Sequence, residues 1–213
     1  MTEKNKKNTF KTRFQGLFPI VVDTETSGLN SKKNALLEIA FAILEMNKMG
    51  WIKIKKILNF HIIPFNGSIL NPESLECNKI DPESPFRQAI TEKEAIENLF
   101  KIAFLSLKKE NCKKAVLVAH NSAFDHKFIK EAAKRSKIKY NPFHSFVTFD
   151  TATLGALIFG QTVLAKACYA AKISFNNREA HSALYDVKKT AELFCKIINI
   201  WNKVRNFTSN RFF

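Results

Sequence analysis

The 213-residue sequence predicts a single α/β domain built around a mixed β-sheet. Three observations support this fold class. Short apolar, β-branched runs come first along the chain, and further runs then alternate with stretches of helical periodicity. No internal repeat occurs at the spacings typical of solenoids or propellers. Hydrophobic residues make up 46% and charged residues 25% of the chain, which is typical of a globular protein with a packed core.

Five apolar segments are candidates for strands. They are residues 20–23, 38–45, 51–54, 57–63 and 115–119. The first segment, Ile-Val-Val-Asp, ends in an acid, as expected of a buried strand whose tip reaches a site. Gly50 provides a turn after the second segment, so the early strands are expected to form a meander. The last segment, Ala-Val-Leu-Val-Ala, is typical of a strand buried on both faces.

Helices are predicted after residue 90. Residues 64–90 are rich in Pro, Asn and Ser and predict a long surface connection with little regular structure. A capping box between Thr91 and Glu94 predicts a helix that ends near residue 109. The last helix has an apolar stripe and a charged opposite face. The stripe is Leu184, Val187, Ala191, Phe194, Ile198 and Trp201, and the charged face is Lys188, Lys189, Glu192 and Lys196.

The charge of the chain suggests a polyanionic partner. The formal net charge is +15, and Lys and Arg side chains neutralise phosphates. A bias of the coding sequence toward AT-rich codons would explain the excess of lysine equally well. The net charge alone therefore does not decide whether the protein binds nucleic acid. The four cysteines show no metal-binding spacing, which favours a reduced, cytoplasmic compartment. Gly16 and Pro19 interrupt the first apolar segment, and we expect neither a signal peptide nor a membrane span.

Acidic residues follow the predicted strands at two places and a third lies on the last helix. Asp23 and Glu25 lie on the same side of a strand end, because side chains alternate along a strand. Asp125 follows the strand at 115–119, and Asp186 lies on the flank of the last helix. His181 precedes that helix on a loop, since five helical residues turn it about 140° away from Asp186. Taken singly, each acid is as well explained as a helix cap or a solvated charge.

Three motifs in this order resemble those of the DEDDh exonuclease superfamily. They are Asp23-Thr24-Glu25-Thr26, His120-Asn121-Ser122-Ala123-Phe124-Asp125 and His181-Ser182-Ala183-Leu184-Tyr185-Asp186. The resemblance implies that Asp23, Glu25, Asp125 and Asp186 hold two divalent metal ions and that His181 is the general base. Crowded carboxylates require such a cation, and hard oxygen ligands favour Mg²⁺, with Mn²⁺ as a substitute. We interpret His120 and Asn121 as structural residues of the turn.

The segment from Arg13 through Trp201 is similar to the ribonuclease T family. Leu36-Leu37-Glu38-Ile39-Ala40, Ile80-Asp81-Pro82, Asn141-Pro142-Phe143-His144 and Gly160-Gln161-Thr162-Val163-Leu164 carry this likeness. It implies a ribonuclease H-like fold, with a mixed five-stranded sheet flanked by helices. It also implies a homodimer that trims the 3′ ends of tRNA precursors and other stable RNAs, digests single-stranded DNA, and releases nucleoside 5′-monophosphates. We expect one exonuclease domain over residues 13–205, between a basic tail at 1–12 and a tail at 206–213.

The same resemblance implies residues that contact the substrate. Phe124 and Phe146 match family aromatics that stack on terminal bases, and Glu73 matches a residue that contacts a base. Leu29 and Cys77 stand where the family has two further aromatics, so we expect weaker discrimination of the 3′ base. Core packing is the alternative for the two phenylalanines, given 20 Phe in the chain. The implied basic patch is Arg13, Lys108, Lys113, Lys114 and Lys139, with Gln15 replacing a family arginine.

Two other functions remain open on the sequence. A DNA-directed DEDDh exonuclease of the proofreading or repair type shares all three motifs, although the Phe and Glu pattern and the chain-long likeness favour ribonuclease T. A nucleic-acid-binding module without catalysis would fit the high charge. The presence of all four acids and His181 argues against that second alternative.

Overall fold

A computed structural model describes residues 8–209, and side chains through residue 204. Its centre is one five-stranded sheet in the order β3-β2-β1-β4-β5. The strands are β1 Leu17–Thr26, β2 Leu36–Met46, β3 Ile52–His61, β4 Lys114–Ala119 and β5 Phe143–Asp150. β1 pairs with β2 antiparallel and with β4 parallel, β2 pairs with β3 antiparallel, and β4 pairs with β5 parallel. This confirms the prediction of a mixed five-stranded sheet.

Seven α-helices and one short 3₁₀ turn surround the sheet within the described residues. The helices are α1 Phe10–Arg13, α2 Pro72–Asn78, α3 Glu92–Glu110, α4 Ala123–Arg135, α5 Thr151–Phe159, α6 Leu164–Ala170 and α7 Ala183–Ser209, with the 3₁₀ turn at Pro85–Arg87. The capping box predicted at Thr91 and Glu94 is present at the start of α3. The helix ends at Glu110 because Asn111 adopts a left-handed conformation, which stops helical propagation.

The core lies on both faces of the central strands. β1, β2 and β4 are buried along most of their lengths, so helices must cover the sheet on either side. The helix α7 packs against β1, β2 and β3, and α3 and α4 pack against the inner strands. Phe41, Phe128 and Phe194 are fully buried and fill much of the space between these layers. This packing places the carboxyl end of β1 beside the first turn of α7.

Two strand predictions and one loop prediction need correction. Residues 51–54 and 57–63 belong to one strand, β3, whose register shift opposite Ile43 and Leu44 marks a bulge. The connection at 64–90 contains α2 and the 3₁₀ turn. The missed signal is Asn71-Pro72, because an Asn cap followed by Pro at the first helical position is a favoured helix start.

The predicted faces of α7 are correct only in the middle of the helix. Val187, Ala191 and Phe194 are buried, whereas Leu184 and Trp201, near the two ends, are exposed. Lys189 is buried although its spacing places it on the charged face. Its ammonium group forms an ion pair with Glu192 at 3.0 Å, which compensates the cost of burying a charge.

The folded part of the chain begins within the stretch predicted as a basic tail. Thr9 caps α1 through a capping box, and the buried Phe10 ring contacts Phe18 edge-on at 4.9 Å. Helix α7 likewise continues through Ser209, past the predicted domain end at 205. The rest of the predicted tails, residues 1–7 and 210–213, lies outside the described residues. The bounds 13 and 205 of the exonuclease domain stay predictions.

Candidate active site

Three acidic side chains converge where β1 meets the first turn of α7. Single carboxylate oxygens of Asp23, Glu25 and Asp186 all lie within 4.8 Å of one another. β1 places the first two on one side of the strand, because they are two positions apart, with Thr24 between them. Asp186 is in the first turn of α7. Three groups that are far apart in sequence thus offer oxygen ligands to one point.

Asp125 lies beside this cluster but outside the group of three. It is buried in the first turn of α4, and one of its oxygens accepts a hydrogen bond from the Thr24 hydroxyl at 2.8 Å. Its charge is close enough to raise the pKa of Asp23. The structure therefore brings all four predicted acids into one neighbourhood, with Asp125 held in place through the residue between Asp23 and Glu25.

The turn between β4 and α4 is held by polar contacts. Asn121 has a positive φ of 67°, a conformation that Asn tolerates better than most residues. The Asp150 carboxylate accepts backbone hydrogen bonds from Asn121 and Ser122. The His120 ring lies 3.0 Å from the Thr151 hydroxyl and 2.7 Å from the Thr162 carbonyl. These contacts agree with a structural role for His120 and Asn121.

Burial raises the pKa of every acid in the cluster, and repulsion between cluster acids adds to the increase at Asp23 and Glu25. Burial raises the pKa of Asp23 well above its ordinary value, and the charges of Asp125, Glu25 and Asp186 add to the increase. Burial, then Asp186 and Glu38, raise the pKa of Glu25 to about 8. Burial also raises the pKa of Asp125 to about 7, against the hydrogen bond from Thr24. These carboxyls cannot all ionise near neutral pH without a nearby positive charge.

The Asp186 carboxylate has one oxygen engaged and one oxygen free. Its Oδ2 accepts a hydrogen bond from the His181 backbone N–H at 2.9 Å. Its Oδ1 is buried and has no hydrogen-bond partner among the described residues. A buried oxygen without a donor is costly unless a ligand contacts it. Together with the two neighbouring carboxylates, this atom fits a divalent metal ion, which prefers hard oxygen ligands.

His181 lies on the loop before α7, as its spacing predicts. Its φ of 67° is left-handed, and the residue is exposed and lines a cavity of about 520 Å³. The base of the loop is held by Tyr185, whose hydroxyl accepts the Asn176 N–H at 2.5 Å. The imidazole is therefore free to reach solvent or substrate, while its backbone is fixed to Asp186.

The predicted substrate-contacting residues are mostly exposed. Phe146 is 90% and Leu29 is 84% exposed, so core packing does not explain Phe146. Phe124 is half-buried, with its ring 4.9 Å from Phe128, so it has both a packed edge and an accessible one. Glu73 and Cys77 are both exposed on α2.

Two polar residues beside the cluster were not found from the sequence. Asn78 is buried at the end of α2, donates to the Thr26 carbonyl at 3.1 Å, and lowers the pKa of Glu25 through a hydrogen bond. Glu38 is a buried acid inside the apolar strand β2, directly opposite Glu25. An acid within an apolar run was the available signal for Glu38, because an acid there is rarely tolerated without partners.

The predicted basic patch divides into two parts. Lys108, Lys113, Lys114 and Lys139 are exposed and lie near the amino ends of β4 and β5. The acids follow the opposite, carboxyl ends of β1 and β4, so the lysines are at the far edge of the sheet. The Arg13 guanidinium instead donates to the Asn202 side chain and the Ile198 carbonyl of α7, at 3.0 and 3.1 Å.

Comparison with known sequences identifies close relatives over nearly the whole chain. The exonuclease family model RNase_T matches residues 20–194. Ribonuclease T of Baumannia cicadellinicola subsp. Homalodisca coagulata is 55% identical over 208 residues, 98% of this chain and 95% of that protein. Ribonuclease T of Wigglesworthia glossinidia brevipalpis is 56% identical over 201 residues, 94% of each chain.

Comparison with solved structures gives the same fold at low sequence identity. E. coli exonuclease I in complex with a dT13 oligonucleotide has a TM-score of 0.67 at 14% identity, and the match covers 89% of this chain and 42% of that one. The nuclease domain of 3′hExo, described as a DEDDh family member bound to rAMP, has a TM-score of 0.66 at 18% identity, covering 85% and 92%. The ribonuclease H-like fold expected from the sequence is confirmed.

Proposed function

The chain belongs to the ribonuclease T family of 3′-to-5′ exonucleases, and on that premise we propose that it trims the 3′ ends of tRNA precursors and other stable RNAs. Single-stranded DNA is a second substrate. The reaction is hydrolysis of the terminal phosphodiester bond, and the products are nucleoside 5′-monophosphates. We also propose the cytoplasm as its compartment, since all four cysteines are free thiols.

The observation that carries this proposal is the group of Asp23, Glu25 and Asp186. One carboxylate oxygen of each lies within 4.8 Å of the other two, and the buried Asp186 Oδ1 has no hydrogen-bond partner in the part of the chain that the structure describes. Exonucleases of this family depend on divalent metal ions. We propose two Mg²⁺ ions, with Mn²⁺ as a substitute, held by these three carboxylates with Asp125 and His181 nearby. When bound, such ions stabilise charge on the attacking and leaving oxygens of an in-line displacement at phosphorus.

His181 accepts the proton of the attacking water in this proposal. An imidazole changes its charge near physiological pH, which suits it to general-base work. The ring is exposed, while the backbone N–H of the same residue is fixed to Asp186 at 2.9 Å. The side chain can therefore move toward the substrate without disturbing the acidic cluster.

The 3′-terminal nucleotides contact Phe124, Phe146 and Glu73. Base stacking on an exposed aromatic ring is insensitive to sequence and contributes roughly 1–3 kcal/mol per base. Phe146 offers a fully accessible ring and Phe124 a partly accessible one. Leu29 and Cys77 provide no aromatic face, so two of the four stacking positions have only small apolar contacts. We propose that the enzyme trims without strong preference for the terminal base.

A second copy of the chain covers the surface formed by α5 and α6. The stretch Thr151–Ala170 is apolar enough, by length and composition, to pass as a membrane span, yet two separate helices divide it. Lys166 is its one charged residue. Leu157 is 77% and Tyr169 is 85% exposed there. A nearly uncharged face on a chain of net charge +15 does not suit nucleic acid, but it suits an identical partner without charge repulsion.

In a homodimer the basic patch can bind RNA for the partner's active site. Lys108, Lys113, Lys114 and Lys139 lie at the sheet edge opposite the acids, so they are poorly placed to hold RNA for the active site of their own protomer. In a homodimer they can bind the phosphates of RNA that enters the partner's active site. We place Arg13 at the border of this patch, where its guanidinium also fixes α7.

The proposed activity is tested with a 3′-labelled tRNA precursor. Purified protein is incubated with and without Mg²⁺, beside an Asp186→Asn variant, and a matched single-stranded DNA is run in parallel. We expect stepwise shortening only with metal and wild-type protein, with labelled nucleoside 5′-monophosphate as the first product. Equal trimming by wild type and variant would falsify the metal assignment. If the protein digests the DNA but not the RNA, the DNA-directed alternative is favoured.

A further inference from the structure

Glu38 is a buried acid that the metal-binding proposal does not use. It lies in β2 with 5% of its surface exposed. The antiparallel pairing of β1 and β2 places it directly opposite Glu25, and its charge raises the pKa of both Glu25 and Asp23. Like charges opposite one another on neighbouring strands destabilise a sheet. A carboxylate in this position therefore needs specific compensating contacts.

Donors from two separate elements approach the two oxygens of Glu38. The Asn59 side-chain amide of β3 donates to Oε1 at 2.6 Å. The backbone N–H of Ala183, the first residue of α7, points at Oε2 at 3.4 Å. The His61 ring lies 3.9 Å from Oε1. Burial lowers the pKa of Arg87, and the nearby charges of Glu38 and Asp81 partly offset this.

The contact with Ala183 concerns the helix that holds Asp186. The first N–H groups of a helix have no partner inside it, and a negative charge there is favourable. A residue from β2 thus supplies an acceptor to the first turn of α7. Asp186 lies three residues after Ala183 in that turn, so a shift of the helix start would move the Asp186 carboxylate away from Asp23 and Glu25.

We propose that Glu38 is a positioning residue that fixes the first turn of α7 against the sheet and so assembles the metal-binding cluster. This inference rests on the proposed metal-dependent function. With Asn59 as its partner, residue 38 must be a carboxylate because both of its oxygens face donors. Glutamine has one acceptor oxygen, so its NH₂ group would face either the Asn59 amide or the Ala183 N–H.

The test exchanges the carboxylate of Glu38 and the amide of Asn59. Glu38→Gln should loosen the first turn of α7 from the sheet. Glu38→Gln combined with Asn59→Asp should restore the contact between them. In the double variant the glutamine NH₂ donates to the new aspartate and its oxygen accepts from Ala183, with the total charge unchanged. Glu45→Gln is the control, because Glu45 is another β2 acid whose partner is the exposed Lys53 at 3.1 Å.

The readouts are amide hydrogen exchange of residues 183–187 and Mn²⁺ binding by calorimetry, both without RNA. For Glu38→Gln we expect about tenfold faster exchange and about tenfold weaker metal binding, as for loss of one interaction of about 1.4 kcal/mol. The double variant should return within about twofold of wild type, and Glu45→Gln should not differ from it. At saturating metal, the KM for RNA should be unchanged.

The proposal is overturned if Glu38→Gln leaves exchange and metal binding unaltered, or if the double variant is no better than the single one. Failure of both variants to fold also counts against it, since the exchanged pair must restore the contacts. Because neither readout uses RNA, a wild-type protein that binds metal but trims no RNA would contradict the proposed function and leave the role of Glu38 intact.

Discussion

The acidic cluster carries electrostatic repulsion that either protonation or a bound cation relieves. The pKa of Glu25 is raised to about 8 and that of Asp125 to about 7, in both cases mainly by burial. In the unfolded chain these groups return to their ordinary values near 4. At a pH between the unfolded and folded values, these carboxyls are therefore protonated in the metal-free folded protein and ionised in the unfolded chain.

This difference fixes the sign of the pH dependence of stability. Between about pH 4.5 and 8 the folded state binds more protons than the unfolded state, so stability falls as pH rises, by up to about 1.4 kcal/mol per pH unit for each carboxyl. We expect the Tm of chelator-treated protein to decrease across this interval, and Mg²⁺ to raise Tm more at pH 8 than at pH 5. Thermal scans measure both effects.

The control for the pH experiment is Glu25→Gln, which removes one raised carboxyl and should give a shallower decline. A Tm that is constant or increases between pH 5 and 8 in the metal-free protein would contradict the raised pKa values. The same scan with Mg²⁺ tests whether the cluster binds metal without measuring catalysis.

Leu29 and Cys77 determine a second prediction at the residue scale. We expect RNA oligonucleotides that differ only in their last two bases to be trimmed at rates within about tenfold, because two stacking contacts of roughly 1–3 kcal/mol each are missing. A variant with Leu29→Phe and Cys77→Phe should separate these rates further. Arrest of the wild-type protein at terminal cytosines would contradict this prediction.

Two ion pairs of α3 differ in their burial, and therefore in their expected contribution to stability. Arg135 at the end of α4 forms a bidentate pair with the buried Glu92 of α3, at 2.7 and 3.0 Å, and also donates to the Ser31 carbonyl. Its guanidinium lies 4.2 Å from the Phe65 ring centroid. Lys93 and Glu97 form an exposed pair at 3.9 Å on α3.

We expect Arg135→Ala to lower the free energy of unfolding by about 3 kcal/mol, because it leaves the Glu92 carboxylate buried without its partner. Lys93→Ala should change it by less than about 0.5 kcal/mol, as for exposed pairs generally. Urea denaturation compares the two variants directly. Similar effects of both substitutions would show that α3 and α4 are not held together through Arg135.

The whole molecule presents an apolar face on α5 and α6 and a basic edge with Lys108, Lys113, Lys114 and Lys139. We expect the wild-type protein to be a dimer in solution and a variant with Leu157→Glu and Tyr169→Glu to be a monomer, since charge would be buried at the interface. Light scattering on a sizing column measures the mass. Phe86→Glu is the control, because Phe86 is exposed elsewhere on the surface.

A monomeric wild-type protein would contradict the dimer proposal, and a dimer unaffected by the double substitution would place the interface elsewhere. If the variant is monomeric, its RNA trimming should also weaken. The reason is that the lysines of one protomer would no longer reach the active site of the other.

The sequence located the two longest helices, α3 and α7, but α4 and β5 were not among its predicted elements. The capping box marked the start of α3 correctly, because the cap is a local hydrogen-bond pattern that residues close in sequence provide. The bulge within β3 depends on its register against β2, and the exposure of the ends of α7 depends on what packs beside them. No local pattern encodes those positions, so they were predicted wrongly.

The order of the acidic motifs along the chain, and their place at strand and helix ends, follow from the sequence, because period-two and period-3.6 patterns are local properties. The tertiary structure alone decided which oxygens meet within 4.8 Å, that Asp125 is held apart by Thr24, and that Glu38 contacts the start of α7. These contacts join β1, β2, β4 and α7 across large separations in the chain, and such distances are set by packing of the core.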